Sequence, residues 1–270
     1  MIKALLERLR QGHRTIPYPE GPPPELPPRF RGRPVIERGG EGTTGGLDAS
    51  VCPTGALKID ARACSIDLGA CLFCGACETK EGPWKIRFSG DHRLAVRQRK
   101  DLVLAEGNEA QLAGELDAKL KRLFGRSLRL RQVSAGGCNA CEADSNVLTT
   151  IGWDIGRFGI QFVASPRHAD GLLITGPVTE NMRLALRKTW EAVPEPKIVI
   201  AVGACAISGG PYIGHPEAHD GCDRLVPVDL YIPGCPPHPL TILDGLLRLL
   251  GRLEGEGSPR AEKHSARGRA

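Results

Sequence analysis

The sequence predicts an α/β fold: a mostly parallel sheet with helices on both faces, preceded by a small α+β unit that depends on a metal centre. Two observations predict this. Over residues 128–253 short apolar runs alternate with helical patterns, as successive βαβ units do. Upstream, residues 35–90 are Gly-rich and hold five of the ten cysteines, in a segment too short to bury much apolar surface unaided.

The elements follow in order. Residues 1–10 form a short amphipathic helix, and the Pro-rich arm 18–28 (YPEGPPPELPP) favours extended polyproline structure. The 1–34 segment is a linker or a strap laid across a partner subunit. Within 35–90, residues 57–60 and 64–67 alternate like the strands of a hairpin, and 84–88 alternates again. Over 91–127, Leu112, Leu116, Leu120 and Leu123 stand at helical spacing and predict a connecting helix over 108–124. Strands are expected at 128–133, 160–164, 171–175, 197–202 and 228–232, and helices at 142–150, 179–193 and 240–253. The tail 254–270, rich in Gly, Ser, Arg and Lys, is expected to be disordered.

Composition excludes several classes of function. Apolar residues at 41% and charged residues at 25% are ordinary for a globular chain of 270 residues. The net charge of +5 is scattered, with no basic stripe interleaved with aromatics, so no nucleic acid is expected. The longest apolar run, 198–207, is half of the ~20 residues that span a bilayer. The first residues lack the pattern of a secretory leader, and the thiols cluster in C-x2-C form, so metal ligation in a reducing compartment is expected rather than disulfides. No G-x-G-x-x-G follows a strand and no P-loop is present.

The first thiol set is Cys71-x2-Cys74-x2-Cys77 together with Cys52-Pro53. In two-cluster ferredoxins each half carries C-x2-C-x2-C-x3-C-P, and the fourth Cys of one half serves the other cluster. Counting from Cys52 and Cys77, the ligands of a second cluster fall on Gly42, Gly45, Asp48 and Glu81, none of them a thiol. The segment therefore resembles a bacterial-type ferredoxin domain reduced to one 4Fe-4S cluster, held by Cys52, Cys71, Cys74 and Cys77. A structural zinc site is the alternative. Cys64 falls off the pattern and reads as a small buried hydrophobe.

The second set comprises Cys138-Asn-Ala-Cys141, Cys205 in Gly-Ala-Cys-Ala, and Cys235 in Pro-Gly-Cys-Pro-Pro. Each phrase follows an expected strand, and ligand sites of open parallel sheets gather at that edge. From about 128 to 250 the chain resembles the cluster-bearing B subunit of NADH:quinone oxidoreductase and the small subunit of membrane-bound NiFe hydrogenases, including the formate hydrogenlyase type. The phrases carrying this are GGCNACE (136–142), RFG (157–159), ASPRHAD (164–170), TGPVT (175–179), PEPK (194–197), VGACA (202–206), GCDRLVPVD (221–229) and YIPGCPP (231–237). The resemblance implies a flavodoxin-like domain with a second 4Fe-4S cluster on Cys138, Cys141, Cys205 and Cys235. It also implies an electron-transfer role beside a large catalytic subunit (NiFe hydrogenase-like or complex I 49 kDa-like), with membrane-arm subunits and a quinone at the interface as further partners. Such a complex docks on the cytoplasmic face of the membrane. The B subunit has adjacent cysteines at the first site; the two-residue gap here matches the hydrogenase side. A zinc-binding assembly scaffold without redox activity is the alternative of another class.

Other residues have two readings each. Glu142 is a proton relay or an acid at a helix start. Arg157 and Arg167 face a quinone or cluster, or make surface ion pairs. His215, His219 and Cys222 have loose metal-ligand spacing in a Gly/Pro loop, and His238 has no evident partner.

Overall fold

The computed structural model describes residues 2–12, 14–39, 48–60, 62–79, 81–107, 111–124 and 127–253. The expected disorder of 254–270 lies outside these. A five-stranded sheet forms the larger unit, built from β6 (Leu128–Ser134), β7 (Ile160–Phe162), β8 (Gly171–Thr175), β9 (Ile198–Val202) and β10 (Leu230–Ile232). Its spatial order is β10-β9-β8-β6-β7, with every pair parallel. Renumbered within the sheet this is 2-1-3-4-5, the flavodoxin-like order, with its switch point between β6 and β8.

Strands β8 and β9 are buried along their whole length, because helices and loops cover both faces. Alternation along them divides the core. Leu172, Ile174, Val199 and Ala201 face one side, while Leu173, Ile198, Ile200 and Val202 face the other. The second side packs on α6 (Pro239–Leu249), through Leu243, Leu246 and Leu247 among others. α3 (Ala140–Val147) and α4 (Glu180–Ala192) follow β6 and β8, and the short α5 (Ala204–Ser208) follows β9.

The smaller unit packs against the first side. β2 (Leu57–Ile59) and β3 (Cys64–Asp67) form the expected hairpin, and β1 (Pro34–Arg38) pairs antiparallel with β4 (Trp84–Phe88). β5 (Val103–Ala105) adds to β3, so the segment after 90 contributes a strand to the small unit's sheet. Ile66, Leu68, Trp84 and Ile86 belong to the same continuous core as Ile174, Ala206 and Ile207. The two units share one hydrophobic core.

Of the helix expected over 108–124, residues 108–110 lie outside the described ones, and among the described residues α2 covers only Ala118–Phe124. Residues 111–117 form no helix, because amides there pair elsewhere: Ala113 N–H donates to the Ala95 carbonyl (2.7 Å) and Leu116 N–H to the Leu249 carbonyl (2.9 Å). Gly114 weakens helical propensity there as well. Leu116 alone of the four leucines is fully buried; Leu123 is exposed.

The Pro-rich arm lies on its own chain. Ile16 N–H donates to the Gly152 carbonyl, and Arg157 donates to the carbonyls of Ile16 and Tyr18. The buried Tyr18 hydroxyl donates to Asp244, which also accepts from Arg248. Val96 and Tyr231 exchange both backbone hydrogen bonds, antiparallel, along the outer edge of β10. α1 (Ile2–Gln11) precedes the arm and buries no residue.

Candidate metal centres

The upstream thiols come together. Cys52, Cys71, Cys74 and Cys77 line one small cavity with Ala56, Leu57, Ile66 and Phe88. Cys71 is placed by Asp67, whose carbonyl accepts from the Cys71 amide and whose carboxylate accepts from Gly69 N–H. Arg99 clamps that carboxylate through two bonds of 2.8 and 2.6 Å. Phe73, held at φ +53°, turns its N–H onto the Cys71 sulfur at 3.3 Å. Burial pushes the Cys71 thiol up to about 12, against its own amide bond from Phe73, with Cys77, Cys52 and Cys74 adding repulsion. Cys77 rises to about 11, by burial first and then through Cys52 and Cys74. Burial also acts on Cys52, but the amides of Thr54, Leu57 and Ala56 outweigh it and hold the thiol below its ordinary value. Amides pointed at a sulfur stabilise the thiolate that iron requires.

The downstream thiols gather at the carboxyl edge of the parallel sheet. Cys138 lies in the loop after β6, at the switch point, and Cys141 in the first turn of α3. Asn139, at φ +70°, makes the tight turn between them. Cys205 sits in α5 after β9, and Cys235 in the loop after β10. Burial raises Cys141 first, with further repulsion from Cys205, Glu142, Cys235 and Cys138. Cys205 is pushed up to about 11 by burial, then by Cys235 and Cys138. All four sulfurs thus lie within one another's field.

Two glycines make room for this set. A Cβ on Gly203, at φ +89°, would stand 2.5 Å from the Cys141 sulfur. One on Gly210 would stand 3.0 Å from the Cys205 sulfur. The donors therefore fit a thiolate-bound cluster at both places: four cysteines gather at each, amides reach the sulfurs of Cys52 and Cys71 upstream, and glycines clear the backbone beside Cys141 and Cys205 downstream. Among the described residues no three His, Cys, Asp or Glu converge as they would around a single ion.

The two sets meet. Cys235 is raised by burial, then by Cys138, then by Cys74 of the upstream set. A cavity of about 220 Å³ between them is lined by Leu72 and Phe73 from one side and by Cys235, Pro236 and His238 from the other. Ser208, three residues after Cys205, donates from its buried hydroxyl to the Gly69 carbonyl at 2.9 Å.

Glu142 is buried in the first turn of α3, where its Oε1 accepts from Ser134 (2.5 Å) and Thr175 (2.7 Å). Arg157 is engaged with the arm and stacks on Phe158. Arg167 precedes β8, at the amino edge of the sheet, opposite the cysteines. His219 pairs with Glu180 at 2.7 Å, His215 accepts from the Glu217 amide, and Cys222 is fully buried, so these three do not form a site. Cys64 is 1% exposed, as a small core hydrophobe would be. His238, which had no evident partner, caps α6 by accepting from Leu240 N–H and packs edge-on against Phe30 and Trp153. Ser208 carried no sequence signal; only its spacing from Cys205 hints at it.

Known proteins share this half of the chain. The profile of the family described as "NADH ubiquinone oxidoreductase, 20 Kd subunit" matches residues 138–249. A probable membrane-bound hydrogenase subunit of Pyrococcus furiosus is 43% identical over 136 residues, covering 50% of this chain and 81% of the relative. Formate hydrogenlyase subunit 7 of Escherichia coli is 45% identical over 139 residues, covering 52% of this chain and 54% of its own length. An NADH-quinone oxidoreductase B-type chain of Symbiobacterium thermophilum is 38% identical over 144 residues, 53% of this chain and 79% of the relative.

Proposed function

The chain belongs to the family of the 20 kDa subunit of NADH ubiquinone oxidoreductase and the related membrane-bound hydrogenase subunits, and from that premise we propose that it is a two-centre electron relay. Cys52, Cys71, Cys74 and Cys77 would hold one 4Fe-4S cluster, and Cys138, Cys141, Cys205 and Cys235 a second. When bound, each cluster supplies a one-electron carrier. The observation that supports this reading is the approach of the two thiol sets: Leu72 and Phe73, which stand between Cys71 and Cys74, line one cavity of about 220 Å³ together with Cys235. A large catalytic subunit of the hydrogenase or quinone-reducing kind would dock over the exposed rim that carries Cys138 and Cys235.

The chain's own residues hold and shield these positions. Phe73, Leu72 and Pro236 line the cavity between the sets with apolar groups. Amides of Thr54, Ala56 and Leu57 stabilise the charged form of Cys52. The Ser208–Gly69 bond ties the helix of Cys205 to the loop of Cys71. The C-x2-C gap at Cys138 and the higher identity to the hydrogenase-type relatives support the hydrogenase branch over the NADH one.

Anaerobic purification with iron and sulfide analysis tests the reading. About eight iron and eight sulfide per chain are expected, with two reducible signals by electron paramagnetic resonance. Stoichiometric zinc with no signal would establish the scaffold alternative instead. Cys74→Ser is expected to remove the upstream signal alone.

A further inference from the structure

α1 is the one described α-helix with no buried residue, yet Ile2, Leu5, Leu6 and Leu9 form an unbroken apolar stripe 54–76% exposed. Their i, i+3, i+4, i+7 spacing places all four on one arc. The charges are arranged around that arc rather than scattered. Arg8 borders it on one side, and Lys3 and Arg10 border it on the other. Glu7, the helix's one acid, lies on the opposite face with Gln11 and makes an exposed ion pair with Arg10 at 3.6 Å, which leaves Lys3 and Arg8 as the border cations without an acidic neighbour on the helix. Arg14 follows one turn later, exposed and bonded to Gln11.

We propose that α1 lies flat on an anionic lipid surface, with Leu5, Leu6 and Leu9 in the acyl boundary and Lys3, Arg8 and Arg10 among the headgroups. A purely apolar groove on a protein partner would satisfy the apolar arc but leave Arg8 on one border and Lys3 on the other without a matching charge. A lipid interface supplies apolar depth and negative charge together, and long basic side chains reach from the edge of the arc to that charge. Only the arm joins the helix to the rest of the chain, and the arm is fastened to the α/β unit at Ile16, Tyr18 and Arg157. A helix of ten residues anchors reversibly, so it acts as a second contact alongside whatever subunits the chain joins. Lipid contact through α1 does not depend on what the cysteines bind.

The test uses the full cluster-loaded chain and two vesicle preparations, phosphatidylcholine with phosphatidylglycerol and phosphatidylcholine alone. The chain is expected to sediment with the mixed vesicles, to bind the neutral ones at least about tenfold less, and to be released by salt. Leu5→Glu with Leu9→Glu is expected to lose about tenfold or more, and Arg8→Glu with Arg10→Glu a similar factor at low salt. Iron content and resonance signals should stay unchanged in both, since no altered side chain is buried. Equal binding to neutral vesicles, no binding to mixed ones, or vesicle binding indifferent to Leu5 and Leu9 would overturn the proposal. So would a chain that ignores lipid and instead binds detergent-solubilised membrane subunits through the same leucines.

Discussion

The Ser208 hydroxyl reaches across two sequence-distant units to the Gly69 carbonyl, 2.9 Å away and out of solvent. One partner lies three residues after Cys205 and the other two residues before Cys71. Ser208→Ala leaves that carbonyl short of a donor, a loss of about 1–2 kcal/mol, readable as a lower urea midpoint. If the bond also fixes the spacing of the two centres, magnetic coupling between the reduced signals will weaken in this variant while iron content stays constant. Gly69→Ala should be worse: its Cβ would meet the Arg99 guanidinium carbon and Ile207 Cγ2, each at 2.8 Å.

Gly203→Ala should act on one centre only. The new methyl would press on the Cys141 sulfur in a backbone conformation that favours glycine. About four irons per chain are expected to disappear, with the upstream signal retained.

Glu142→Gln keeps an acceptor for Ser134 and Thr175 but removes a buried negative charge that Cys141 and Cys205 both feel. Electrons then enter the downstream centre more easily. Its midpoint potential should rise by on the order of 50 mV in a redox titration. A proton-relay role would show as a slower turnover with an altered pH profile, beyond what the potential explains.

Acid should loosen the far side of the sheet. Burial holds His92 below its ordinary value against the pull of Asp244 and Asp91, with Arg93 and Arg248 opposing protonation; burial and His92 lower His238 likewise. Both remain neutral in the folded chain while the unfolded chain takes up protons. Their contribution is intact above the ordinary histidine value of 6.5 and is lost as pH falls from there through the lower folded values. Urea midpoints of the chain should drop over that window, and His92→Gln with His238→Gln should flatten the slope. Protonated His238 could no longer accept the Leu240 amide that caps α6.

Tyr18→Phe removes the hydroxyl from Asp244 and should cost about 1–3 kcal/mol. Arg157→Ala releases the carbonyls of Ile16 and Tyr18. Faster proteolysis within the arm would report its detachment.

The parallel sheet was legible because buried strands read as apolar runs; Cys71, Cys74 and Cys77, and Cys138 with Cys141, were legible from local spacing, while Cys205 and Cys235 were expected from their place after strands and from the family resemblance. Expected and observed strands of the large sheet differ by at most two residues at either end. Tertiary pairing was not legible. Leu112, Leu116 and Leu120 keep a helical period, yet the amides of Ala113 and Leu116 find Ala95 and Leu249 instead. The arm's composition favoured an extended strap; which surface it crosses depended on Arg157 and Asp244, 139 and 226 residues from Tyr18. The shared cavity of Leu72 and Phe73 with Cys235 belongs to the same class of long-range fact.

The Val96–Tyr231 exchange has a consequence for assembly. β10 would otherwise present unpaired amides and carbonyls at the border of the parallel sheet, a template for any passing strand. The chain's own crossing segment takes that row, blunting adventitious strand addition where Cys235 emerges. A large subunit approaching this end is therefore steered to the rim of loops, and recognition there becomes a matter of side-chain shape around the thiols rather than of backbone ladder extension.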